Sequence, residues 1–255
     1  MQISIAQAQL FFLALTRVLA ILIHVPVLAG PSIPNQVKIG LGVLVAMIVL
    51  PWKPLGPEVE SLPAFAFGMG VLRELVVGTL AGFAATLTFA TFGVAGEVMG
   101  LTSGFSAGHL INPVLGTTGS AIDQFFQITV MLIFIVLNGH HTFLLGLQRT
   151  FEVIPLNGPL PDLTAEQLMR MTAEMVIAGI QLSLPVMSAV LLADLALGLL
   201  ARVAPQVQVF FLGVPMKIGV GLIALSLAMT VFLPRLSNMF RLVGQQMVNL
   251  LGGLP

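Results

Sequence analysis

Gly104-Phe105-Ser106-Ala107-Gly108 fits the G-x-S-x-G pattern, with His109 directly behind it. In a hydrolase that pattern sets a serine on a sharp strand-to-helix elbow, where a nearby histidine can take its proton. The flanking residues offer no strand, and in a chain with 26 glycines a chance match is unsurprising. His140-His141 lacks the one-turn spacing and the nearby carboxylate of a helical metal site. Cysteine is absent, which excludes thiol catalysis, disulfides and zinc–thiolate sites. No G-x-x-x-x-G-K-[ST] loop is present to cradle a nucleotide phosphate. The residues point away from an enzyme, and no cofactor or metal is expected.

What remains is charge in apolar surroundings. Arg17, Arg73, Glu74, Glu97, Asp194, Arg202 and Lys217 all interrupt hydrophobic runs. Near a bilayer centre each such residue costs about 2.5–3.5 kcal/mol, so a buried one needs a partner. Asp194 and Arg202 lie eight residues apart, close to one helical face. That spacing suits an ion pair within the chain or between subunits; a proton or ion relay is the alternative. Arg73 and Glu74 are adjacent, point in different directions and must meet different partners.

Glycines form the second pattern. Gly96, Gly100, Gly104 and Gly108 recur every fourth residue and run into Asn112-Pro113. On a helix they share one face and leave a groove without side chains. The row serves close helix packing, or it marks a flexible constriction together with Thr102, Ser103, Phe105 and Ser106. Non-helical backbone at membrane depth is tolerated only inside protein or along a wet cavity.

The elements that must hold these residues are helices in or near a membrane. Hydrophobic residues make up 57% and charged ones only 8% of the 255 residues, and mean hydropathy is +1.06. Soluble domains carry about 25% charged residues. The net charge of zero argues against nucleic acid as a partner. The run from Ala6 to Ala29 is long enough to span, but carries Arg17 and has no basic stretch before it; a cleaved signal peptide is not expected. Val37 to Leu50 reaches only roughly 21 Å as a helix, too short to cross alone. Leu62 to Gly108 is expected to be split by Arg73-Glu74. Ser120 to Leu137 is closed by Asn138-Gly139-His140-His141, and a further stretch reaches Phe151. Thr164 and Gln167 have the spacing of a capping box, opening a helix kinked at Pro185. Val209 to Leu233 closes the apolar runs, followed by a short amphipathic tail. There is one tryptophan and no tyrosine, so the aromatic belt usual at a membrane boundary is missing. Basic residues are too sparse to fix an orientation.

In their order these motifs resemble the FliR family of flagellar and related type III export-gate proteins. The likeness rests on Arg73-Glu74 with Gly78, Gly96-Glu97-Val98-Met99-Gly100 and Asn138-Gly139-His140. It is densest from Asp194 through Gly198, Arg202, Pro205 and Gln206 to Val209-Phe210, Gly213, Pro215 and Lys217. Asn112-Pro113 and Thr102-Ser103 depart from the family's pattern. The resemblance implies an all-α, polytopic fold of helical hairpins, like a fusion of FliP and FliQ. It further implies a single domain over residues 1–255, within a helical ring of FliP-like subunits and FliQ-like neighbours.

The expected function is that of a non-enzymatic subunit in the conduit for unfolded export substrates. Its site is the bacterial inner membrane, with FlhB-like and FlhA-like export components nearby. The resemblance makes residues 96–113 a plug, with Gly96, Gly100, Ser103, Gly104, Phe105, Ser106, Gly108, Asn112 and Pro113 as its residues. Arg17, Arg73, Glu74, Glu97, Asp194, Arg202, Pro205, Gln206 and Lys217 become charge and assembly positions. A small-solute or ion transporter, with broken helices and charges at mid-membrane, is the second reading.

Overall fold

A computed structural model of the chain describes residues 4–25, 30, 33–50, 61–105, 120–161, 164–206 and 208–252. These residues form α-helices without a strand. In chain order the helices are α1 (Ile5–His24), α2 (Asn35–Val49), α3 (Ala64–Thr102), α4 (Ala121–Val136), α5 (Gly139–Val153), α6 (Ala165–Val203) and α7 (Val209–Gly252). Four of them, α1, α3, α6 and most of α7, are long and apolar enough to cross a membrane.

Local chemistry sets most helix ends. Ser4 caps α1 in a reciprocal box with Gln7, whose amide nitrogen donates to the serine hydroxyl at 3.2 Å. Thr164 and Gln167 make the same box before α6, at 3.3 Å each way, as their spacing predicts. Ser120 accepts from the Asp123 amide at the start of α4. Asn138 turns the chain between α4 and α5 with φ of 56°, a left-handed conformation that asparagine tolerates. The two helices meet there at 72°.

The long runs are less interrupted than the sequence suggests. Helix α3 passes through Arg73-Glu74 without a break over 39 residues, because Glu74 finds its partners inside the protein. Helix α6 continues through Pro185, and α7 through Pro215 and Pro234. At about 1.5 Å per residue, a helix of this length reaches about 58 Å, nearly twice a hydrocarbon core of about 30 Å. The tail after Leu233 is no separate element but the last turns of α7. Its Phe240, Val243, Met247 and Leu250 are buried at the spacing of one helical stripe.

The chain divides into two compact units. The first comprises residues 1–88, 138–170 and 240–255, the second residues 89–137 and 171–239. In the first, Leu13, Ala14, Val18 and Ile21 of α1 are buried along one stripe. Helix α2 lies on α1 where Gly42 faces Leu19. Helices α5 and α7 cross closely: a Cβ on Gly146 would stand 2.6 Å from the Gly244 Cα. In the second unit, Phe126 of α4 meets Phe232 of α7 edge-on at 6.0 Å, and Phe89 of α3 meets Phe134 at 5.2 Å. Gly179 of α6 sits against Val94 and the Thr91 carbonyl of α3.

Candidate functional site: a buried charge lock and a glycine helix stop

The first unit is organised around Arg17. The side chain is fully buried, and Glu74 is 1% exposed. The Arg17 Nε donates to Glu74 Oε2 at 2.5 Å. Its Nη1 donates to the carbonyls of Thr150, at 3.0 Å, and Ile154, at 2.6 Å, and Nη2 reaches Pro155 at 3.4 Å. These carbonyls belong to the end of α5 and the turn behind it; that of Thr150 also accepts the Ile154 amide at 3.1 Å. The guanidinium also lies 4.4 Å from the centre of the Phe151 ring, a favourable face for a cation. The second Glu74 oxygen accepts the Asn157 amide at 2.9 Å, and Asn157 itself takes a left-handed φ of 60°.

One guanidinium thus ties α1 to α3 and to the end of α5. Both Glu74 oxygens are engaged. Gly78, one turn beyond Glu74, makes the approach possible. A Cβ there would stand 2.7 Å from the Arg17 carbonyl oxygen.

The other charges sit differently. Asp194 pairs with Lys217 at 2.6 Å, across α6 and α7, and the two side chains are 37% and 30% exposed. Sequence spacing put Arg202 beside Asp194; in the fold Arg202 is exposed, and the register of α6 against α7 selects Lys217 instead. Glu97, Pro205 and Gln206 are also exposed, and Arg73 is half-buried. A buried acid that the sequence reading passed over is Asp123, 7% exposed. It accepts from Gln127 at 2.9 Å and faces Gly96, whose added Cβ would stand 2.5 Å from its Oδ1. The Ser120-x-x-Asp123 cap was the only signal for it.

The glycine row divides at its middle. Gly96 and Gly100 are buried within α3, and Gly96 gives the close approach to Asp123. Gly104 lies past the helix end with φ of 79°. Its amide donates to Leu101 at 3.3 Å, and the Phe105 amide to Gly100 at 3.1 Å. This crossed pair is a Schellman stop, which requires the left-handed residue that glycine supplies without strain. Gly104 is therefore a terminator, and the four-glycine face expected on one helix is not formed. Ser103, just inside the stop, is fully buried. Phe105 is half-buried, and Ser106, Gly108, Asn112 and Pro113 lie outside the described residues.

Enzyme-like arrangements are not assembled among the described residues. No three of His, Asp and Glu gather as metal ligands there. His24 Nδ1 lies 2.8 Å from the Ala20 carbonyl oxygen, and the His140 and His141 rings stack on each other at 4.4 Å on the exposed start of α5.

The chain resembles known proteins over nearly its whole length. The family model for bacterial export proteins, family 1, matches residues 8–243. The chain belongs to the FliR family. The flagellar biosynthetic protein FliR of Pectobacterium carotovorum is 32% identical over 233 residues, covering 90% of this chain and 88% of its own. The FliR of Bacillus subtilis is 30% identical over 247 residues, with 94% of each chain covered. That of Escherichia coli K12 is 29% identical over 247 residues, covering 96% of this chain and 94% of its own. The FliR match thus takes in the Arg17 lock, the Gly104 stop and the Asp194–Lys217 pair together.

Proposed function

We propose that this FliR-family chain is a non-enzymatic subunit of a flagellar-type protein export gate in the bacterial inner membrane. With FliP-like and FliQ-like partners it builds the conduit for unfolded substrates, next to FlhB-like and FlhA-like components. The segment from Gly96 to Pro113 keeps the conduit closed at rest. The whole chain, residues 1–255, acts as one functional piece.

The observation that carries this reading is the surface of α6 and α7. Leu192, Leu195, Leu199 and Val203 are between 65% and 82% exposed, yet the same helices carry Asp194, Lys217 and Arg202. Lipid tails suit the leucines but leave the charges poorly solvated. Apolar subunits with polar partners of their own suit both. A gate subunit among neighbours has such surroundings, and the full-length family match supplies the class.

Co-expression with FliP-like and FliQ-like chains tests the reading. The chain should co-purify with them and restore secretion to a strain lacking its own FliR. Deleting residues 102–111 should leave the complex assembled but leaky to small ions. A chain that purifies alone as a stable monomer and moves a small solute would instead be a transporter.

A further inference from the structure

Ser103 is buried completely, and its hydroxyl has no hydrogen-bond partner among the described residues. Several other helical hydroxyls among the described residues turn back onto their own helix. Thr102 bonds to the Val98 carbonyl, Thr129 to Phe125, Ser183 to Ile180 and Ser226 to Leu222. Ser103 does not follow them, and of the two carbonyls one turn back that of Met99 is doubly occupied. The Met99 carbonyl already receives the Ser103 amide and the Thr102 hydroxyl. The Gly100 carbonyl receives the Phe105 amide. The Ser103 side chain points instead at α7. A Cβ built on Gly221 would lie 2.6 Å from the Ser103 oxygen and 2.9 Å from its Cβ, with Val190 of α6 at 3.8 Å.

We propose that Ser103 and Gly221 form a releasable seat for the end of α3, and that this seat separates when the conduit passes a substrate. The inference rests on the conduit reading above. A buried hydroxyl without a partner is a standing cost that leaving the seat relieves. Two glycines make both positions accessible. Gly221 admits Ser103 without a clash, and Gly104 takes the left-handed turn or a helical one at similar energy. Ser103 and Gly221 are therefore positioning residues for the α3 end.

The natural chain has no cysteine, so a cysteine pair reports on the seat without background. Ser103→Cys with Gly221→Cys should cross-link in resting complexes assembled with FliP-like and FliQ-like partners. The two Cβ atoms, 2.9 Å apart as built, need to separate by roughly 0.6–0.9 Å to reach disulfide spacing. Cross-linking should block secretion of a reporter, and a reductant should restore it. Failure to cross-link in assembled complexes overturns the seat; secretion through cross-linked complexes overturns its release. A size exchange covers misfolding of the pair. Gly221→Ala should unseat α3 and raise resting ion leak about tenfold, and adding Ser103→Gly should bring the leak back. Equal leak in all three proteins overturns the proposal. If removing the chain altogether leaves secretion and leak unchanged, the conduit reading fails instead, whatever the cross-link shows.

Discussion

Arg17→Ala is the most demanding test of the first unit. The substitution leaves Glu74 buried and without its cation, a loss typically worth about 3–5 kcal/mol. Whole domains are stable by only about 5–15 kcal/mol, so the variant should be marginal. For a chain of this size that corresponds to a fall of roughly 6–20 °C in the unfolding midpoint. Two companions separate the charge pair from the carbonyl contacts. Replacing both partners, Arg17→Met with Glu74→Leu, removes the unpaired charge and for a simple ion pair is often neutral. Here it still strips a donor from the Ile154 carbonyl and an acceptor from the Asn157 amide, while the Thr150 carbonyl keeps the Ile154 amide. Each buried group left without a partner costs about 1–3 kcal/mol. The double variant should therefore fall between wild type and Arg17→Ala. Exchanging the charges, Arg17→Glu with Glu74→Arg, should not rescue, because a guanidinium on α3 no longer issues from α1 toward the end of α5. Thermal unfolding of complexes purified with partner subunits measures all three. A double variant as stable as wild type, or full rescue by the exchange, refutes the three-helix lock and leaves a plain ion pair.

Gly146→Val should abolish accumulation of the chain on immunoblots of membranes, because its Cβ would press on the Gly244 backbone, which cannot swing aside as a side chain can. Asp194→Asn should lower the unfolding midpoint by less than Glu74→Gln does, since the Asp194–Lys217 pair is about a third exposed and solvent weakens such pairs. Arg202→Ala should lower it least. Gly104→Asn should retain secretion of a reporter substrate, whereas Gly104→Ala should impair it while co-purification persists. Asparagine enters the left-handed region more readily than alanine, for which it costs about 1–2 kcal/mol.

The helices were legible because their signals are local. Thr164 with Gln167 announces a cap, Asn138-Gly139 a turn, and the apolar runs their own lengths. Interruption was overread for one reason. Arg73-Glu74 breaks an apolar run on paper, but a charge breaks a helix only if nothing satisfies it, and Glu74 is answered by Arg17, 57 positions earlier. Nothing in the spacing of one segment reveals a partner on another. In the same way the spacing of Asp194 and Arg202 says nothing of Lys217 on the next helix, the partner that Asp194 meets within the chain.

Gly104 shows why the candidate site was harder to read than the fold. Glycine every four residues predicts a bare helical face, and glycine also supplies the left-handed residue that ends a helix. Composition cannot separate the two uses, because both exploit the same missing Cβ. The backbone separates them: Gly96 is helical and lets Asp123 approach, whereas Gly104 has a φ of 79° and closes the crossed bonds from Leu101 and Gly100. The stop then has a consequence that no motif carries. It sets Ser103 just inside the helix end, where its hydroxyl has no partner among the described residues and faces Gly221, 118 positions further along the chain by subtraction of their numbers. A helix end that leaves a polar group unpaired is a less settled arrangement than the Arg17 lock, where the charged groups are answered. The two units thus differ in kind. One is pinned by a charge network that ties three helices, and in the other α3 ends on a contact that leaves a buried hydroxyl unpaired among the described residues.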